Sequence, residues 1–232
     1  MEIKCGTQNI KIIGVLFFVM SAGVSSSNVS SSHSIPQKTL SRWNHAQELL
    51  GKQYSSSVVR SGEQISDIDR FLFQWIQRAL INVRFSPQAI PGMTRQIGET
   101  IIFESEKYGF DPVFLIAVIQ NESSFNPTAV GKAGEMGLMQ LKFVTAKWIA
   151  NKYGLFYEGP QSLSNPTINI QIGSAYLSYL RKEFAFQNHL YLEAYNKGSG
   201  HVKKALESKG ISKHYVSRVL HAYVNFYSKL LA

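Results

Sequence analysis

Residues 111–141 read DPVFLIAVIQNESSFNPTAVGKAGEMGLMQL, and their reading decides the fold. Asp111-Pro112 is a helix start: an N-cap oxygen followed by a residue whose fixed φ and missing N–H suit the first helical position. Along the predicted helix 112–123, Phe114, Val118 and Glu122 recur every four residues, with Leu115 and Ile119 beside them, so the carboxylate continues an apolar stripe. Burial of that kind disfavours the charged form, raises the carboxyl pKa and leaves an acid able to donate a proton near neutral pH. A single Glu at a helix end is more often simply solvated, so its surroundings have to carry a functional reading. Beyond it comes a loop punctuated by Gly131, Gly134 and Gly137, then Leu138 and Met139 side by side, which an ordinary surface loop would not carry.

Working outward, the helical period dominates. Ile65, Ile68, Leu72, Trp75, Ile76 and Ala79 recur at three- and four-residue steps while Asp67, Arg70 and Arg78 fall elsewhere, which gives one apolar face. Further helices are expected near 41–52, 93–108, 144–153, 167–184, 188–196 and 212–230. Strict alternation of apolar and polar residues is scarce, so the expected fold class is mainly α. Gly198-Ser199-Gly200 reads as a turn, and no internal repeat is visible.

The chain has 232 residues, 44% of them apolar, enough for one domain with a real core plus an appendage. Its net charge of +9 comes from 24 Lys and Arg spread along the sequence, not from a polybasic tail. A diffuse basic excess suits an anionic matrix, a membrane surface or nucleic acid equally. Residues 1–24 have the layout of a secretory signal peptide: Lys4 and Lys11, the apolar run 12–20, then Ser21-Ala22-Gly23. The run is shorter than the ~20 apolar residues of a comfortable membrane span. The expected location is therefore the periplasm or cell envelope. Cys5, the only cysteine, precedes that run, so a processed chain would hold neither a disulfide nor a thiolate metal site. Residues 25–39 are Ser-rich and read as a linker. The expected organisation continues with a helical extension at 40–90 and a main domain at 91–232; whether the extension packs on that domain or binds a partner is open at this point.

Three motifs then fall in order: Glu122-Ser123-Ser124-Phe125-Asn126-Pro127, Gly137-Leu138-Met139-Gln140 and Ala194-Tyr195-Asn196-Lys197-Gly198. In order and spacing they resemble the three signatures of the soluble-type lytic transglycosylases, a branch of the lysozyme-like superfamily. Asn169-Ile170 with Gly173, Tyr176 and Leu177 is similar to the helix between the second and third signatures. The resemblance covers roughly residues 95–225. It implies a lysozyme-like helical domain in which Glu122 is the sole catalytic acid and base, and Ser123 helps hold the carboxylate or the loop. Met139 and Gln140 correspond to the substrate-contacting pair of the second signature, with Leu138 in the core. Tyr195 corresponds to the tyrosine that faces the catalytic carboxylate, Asn196 offers an amide to substrate or backbone, and Tyr215 sits where relatives place another cleft tyrosine. The implied partner is the glycan strand of peptidoglycan, with no nucleic acid, metal or cofactor, and with a cell-wall or secretion-machinery protein as a further candidate partner.

Most glycosidases set two carboxylates across the scissile bond. Between Glu122 and Gln140 the only other acid is Glu135, which reads as a solvated loop charge. One carboxylate would then perform both proton transfers and give a 1,6-anhydromuramyl product. Two other readings share these residues: a hydrolytic, goose-type lysozyme relative in which Glu135 positions a water, and a non-catalytic peptidoglycan-binding module of a secretion apparatus. The six histidines form no His-Glu-x-x-His pattern, and no phosphate-binding glycine loop with its lysine appears, which speaks against metal and nucleotide chemistry.

Overall fold

In the computed structural model, which describes residues 67–184, 189–207 and 213–230, the segment from Asp111 onward forms the central helix. The expected signal segment 1–24, linker 25–39 and helix 41–52 lie outside the described residues. Eight α-helices are described: α1 (Asp67–Asn82), α2 (Ile90–Tyr108), α3 (Pro112–Ser123), α4 (Phe143–Tyr153), α5 (Pro166–Glu183), α6 (Leu190–Lys197), α7 (Ser199–Glu207) and α8 (His214–Leu230). A 3-10 turn at Pro160–Ser164 precedes α5. No strand occurs among the described residues, where pairing is limited to two isolated bridges in the loop after α3.

Helix α3 explains the arrangement. Every residue from Val113 to Ile119 is buried, so neighbours must cover it all round. Helix α8 packs along it, α2 and α1 adjoin it, and α2 also packs on α5, which carries α6 in turn. Each fully enclosed Val, Leu, Ile or Phe stabilises the fold by about 1.5–3 kcal/mol relative to exposure, and α3 alone supplies six such residues. Asp111 starts the helix as the sequence predicts. Its Oδ1 accepts the Val113 N–H at 2.8 Å, and its Oδ2 accepts the hydroxyls of Tyr223, at 2.6 Å, and Tyr227. Burial pushes the Asp111 carboxyl above its ordinary value, and the two tyrosines and the Val113 N–H oppose that rise.

The part of the 40–90 extension that is described packs on the same core. Leu72, Ile76, Ala79 and Leu80 of α1 are buried in it, and Trp75 meets Phe226 of α8 edge-on at 4.7 Å between ring centroids. The predicted helix ends hold to within a few residues. One expectation fails: Gly198-Ser199-Gly200 is not a simple turn. Gly198 ends α6 with φ 88°, and α7 begins at once with Ser199. Burial of Val202 gives that short helix an apolar anchor that outweighs the poor helix propensity of Gly200.

The loop between α3 and α4 is fastened to α5 by one side chain. Asn169, fully buried, donates from Nδ2 to the carbonyls of Met136 and Leu163, each at 2.9 Å, and accepts the Met139 N–H on Oδ1 at 2.7 Å. Gly137 lies against this amide with φ 77°, and a Cβ there would come within 2.2 Å of Asn169 Nδ2 and of the Leu163 carbonyl. Glycine is therefore required twice over, for its dihedral and for the close approach. Asn169→Ala leaves the buried Met139 N–H and the Leu163 carbonyl without this partner and takes one of two bonds from the Met136 carbonyl, and urea unfolding should show a loss of about 2–5 kcal/mol. Asn169→Asp, which sets a buried carboxylate oxygen against the same two carbonyls, should lose at least as much.

Candidate active site

Glu122 stands on the last turn of α3, at the point where a fully buried helix first reaches an opening. The chain then reverses sharply, with Ser124 at φ 51° and Phe125 at φ 64°. Left-handed geometry costs about 1–2 kcal/mol for each such residue; the enclosure of Phe125 in the core offsets part of that. The reversal sends residues 126–141 back across the end of α3. That segment is stitched by Gly131 N–H to the Glu135 carbonyl at 2.8 Å, Gly137 N–H to the Ala129 carbonyl at 2.9 Å, and paired Met136–Leu141 main-chain bonds at 3.0 Å.

Between this loop, α5 and α6 lies a cleft of about 270 Å³, lined among others by Glu122, Glu135, Gln140, Lys142, Tyr195 and Asn196. Burial raises the Glu122 carboxyl from an ordinary 4.5 to about 7. A bond from the Tyr215 hydroxyl and the charge of Arg218 pull it down, and the charge of Glu135 pushes it further up. Near neutral pH the group is thus divided between acid and carboxylate, the condition for giving a proton and taking one back.

The sequence-predicted residues do not all face the cleft. Glu122, Gln140, Tyr195 and Asn196 meet at the cleft. Tyr215 reaches it from α8: its hydroxyl donates to Glu122 Oε1 while its ring is enclosed. Tyr195 differs from expectation. Its hydroxyl donates to the Met139 carbonyl at 2.7 Å, so Tyr215 and not Tyr195 makes the hydrogen bond to the carboxylate. Met139 is fully buried against Gly173 of α5, so its side chain does not face the cleft; it contributes through its N–H and C=O, both held by side chains. Ser123 bonds back to the Ile119 carbonyl of its own helix at 3.3 Å instead of to the Glu122 carboxylate. Gln140, at φ 46°, donates from Nε2 to the carbonyls of Ala129, at 3.1 Å, and Gly137, at 2.8 Å, and so braces the loop as well as lining the cleft. Leu138 is in the core as expected.

Two residues around Glu122 go unread in the sequence. Arg218 stands one turn beyond Tyr215 on α8, with its guanidinium 5.7 Å from that tyrosine ring, a neighbour that three-residue spacing would reveal. Glu193 of α6 is fully buried; it accepts the Val216 N–H at 3.3 Å on Oε1 and holds Lys197 Nζ at 3.3 Å from Oε2. It ties α6 to the first turn of α8, where Tyr215 is mounted.

The transglycosylase SLT domain profile matches residues 99–217, just over half of the chain. The chain belongs to the transglycosylase SLT family. It is 31% identical over 137 residues to membrane-bound lytic murein transglycosylase C of Edwardsiella ictaluri, covering 55% of this chain and 38% of that protein. To the protein of the same name from Serratia proteamaculans it is 37% identical over 113 residues, covering 45% and 32%. The chain thus spans less than two fifths of the length of these curated relatives. Among solved structures, an inactive mutant of lytic transglycosylase Slt from Pseudomonas aeruginosa superposes with TM-score 0.52 at 30% identity, over 58% of this chain and 24% of that one. The 70-kDa soluble lytic transglycosylase of Escherichia coli superposes with TM-score 0.51 at 22% identity, over 84% and 34%, a likeness of fold. This SLT-family member thus has the lysozyme-like helical architecture that its signatures imply.

The buried acid has a consequence for stability. In the unfolded chain Glu122 titrates near 4.5, in the folded chain near 7. Its contribution is fully present below the unfolded value, declines as pH rises and only the unfolded state ionises, and is lost above the folded value. Glu122→Gln removes this titration. Its stability relative to wild type should rise by about 2–3 kcal/mol between pH 4 and pH 8, read by urea unfolding at both. A pH-independent difference would contradict the raised pKa.

Proposed function

We propose that this SLT-family protein is a peptidoglycan lytic transglycosylase that cleaves the β-1,4 bond between N-acetylmuramic acid and N-acetylglucosamine without consuming water. The observation that carries the reading is Glu122: a carboxyl raised to about 7 by burial, opening into a cleft large enough to admit sugar rings. The names of its relatives support the same activity.

In this reading Glu122, protonated, gives its hydrogen to the bridging oxygen as the bond to C1 of the muramyl residue breaks. The N-acetyl carbonyl oxygen of that same sugar shares the positive charge at C1. The resulting Glu122 carboxylate takes the proton of the C6 hydroxyl, whose oxygen closes on C1. The enzyme returns to its starting protonation state, and the product ends in a 1,6-anhydromuramyl ring. Tyr215 stabilises the carboxylate between the two proton transfers, Gln140 and Asn196 present amide groups to the sugars, and Tyr195 and Met139 keep the loop in place. The relatives named for membrane-bound murein enzymes and the amino-terminal signal pattern together support a cell-envelope location. No helix among the described residues is long and apolar enough to cross a membrane.

Two measurements test this. Muropeptides released by the purified chain should carry anhydro ends on mass spectrometry, and Glu122→Gln should lower release by at least about a thousandfold while still binding insoluble peptidoglycan; reducing ends, or undiminished release by the variant, would overturn the assignment. Tyr215→Phe removes a bond that favours the carboxylate, so the alkaline limb of the kcat/KM profile should move to higher pH. Tyr195→Phe, whose hydroxyl bonds the main chain, should move it less.

A further inference from the structure

Glu135 reads in the sequence as a solvated loop charge, yet the loop is folded around it. Its Oε2 accepts the Ala133 N–H at 3.0 Å, and Lys142 Nζ stands 3.5 Å from Oε1. Gly131 passes so close that a Cβ there would lie 2.4 Å from Glu135 Oε2 and 2.8 Å from Gln140 Oε1. Any side chain at 131 would displace this carboxylate or the adjacent amide. The carboxylate lines the same cleft as Glu122. Partial burial, the largest single influence, pushes the Glu135 carboxyl up, but the N–H groups of Glu135 and Ala133 together with Lys142 outweigh it and hold the group below its ordinary value.

We propose that Glu135, anchored in the wall of the same cleft as Glu122, supplies it with a second carboxylate whose charge acts both on Glu122 and on the cation that develops at the anomeric carbon. The proposal rests on the transglycosylase reading for its second half only. The two carboxyls sit in environments that drive them apart, one raised so that it can hold a proton near neutral pH, the other held below its ordinary value, the arrangement by which a site divides labour between like groups. Among the described residues, the titratable and charged groups that bear on Glu122 are Tyr215 and Arg218 from α8, Tyr195 from α6 and Glu135 from the loop. Lys142 and Lys197 line the same cleft, and each stands beside a carboxylate, Glu135 and Glu193 respectively. Glu135 is thus the negative charge that favours the protonated form of Glu122, and Lys142 partly screens it. In the transition state the same charge lies on the cleft wall facing the sugar, where a fixed anion stabilises an oxocarbenium-like centre more than it stabilises the neutral ground state.

The test uses the full chain with Glu135→Gln, which keeps an acceptor for the Ala133 N–H, and Lys142→Met, which removes the screening cation. Carbon-13 NMR titration of the Glu122 carboxyl and the alkaline limb of kcat/KM on peptidoglycan are both read. Glu135→Gln should move both to lower pH and reduce kcat about tenfold, with only the small loss of thermal stability expected from an exposed ion pair; Lys142→Met should move both to higher pH. An unmoved Glu122 titration in Glu135→Gln, with or without a loss of rate, would overturn the proposal and leave Glu135 a loop support. Because the titration is read without substrate, that failure is distinct from failure of the transglycosylase reading, which would show as reducing ends from the wild-type enzyme.

Discussion

Helix α3 is buried on every side for two turns, so its polar residues come only in its last turn, and there it places Glu122 at the cleft. The rest of the structure follows from that constraint. A carboxyl at the exit of an apolar helix loses part of its hydration, and the neutral form becomes competitive near neutral pH. The hydrogen bond from Tyr215 and the charge of Arg218 return some stability to the anion, which keeps the group near 7 and not far above it. Full enclosure would lock the proton on, and full exposure would strip it off. The sharp left-handed reversal at Ser124 and Phe125 maintains the intermediate condition: it turns the chain away at once, so that the loop forms one wall of a cleft and does not cover the acid.

Much of this was legible because it is local. Asp111-Pro112 fixes where α3 begins, four-residue spacing puts Glu122 on its buried stripe, and the amphipathic pattern of α1 declares which side packs. Features that depend on distant partners were not. The tyrosine that bonds Glu122 lies 93 residues away, and motif resemblance favoured Tyr195, whose hydroxyl is instead taken up by a main-chain carbonyl. The resemblance makes Met139 a substrate contact; its burial against Gly173 follows from the way Asn169 anchors that loop to α5. Glu135 has the composition of an ordinary loop acid, and only the folded path of residues 131–135 aims it into the cleft.

The motifs shared with the family thus act at two levels. Gly137, Met139 and Asn169 set the shape of the loop and hold its main chain, while Glu122, Gln140 and Asn196 face the cleft. Gln140 does both, since it also braces the loop through the Ala129 and Gly137 carbonyls. Glu193, buried beneath Lys197 and bonded to the start of α8, belongs to the first group although it neighbours the third signature.

Helix α8 grips α3 at both ends: Tyr223 and Tyr227 hold Asp111 at the start, and Tyr215 with Arg218 attends Glu122 at the finish. These contacts join segments about a hundred residues apart, the kind of pairing that closes late because the intervening chain must be ordered first. An emerging or partly folded chain that lacks residues 214–230 would therefore have neither a properly seated α3 nor a tuned acid. The surroundings that set the Glu122 carboxyl are therefore complete only once the last described helix has docked.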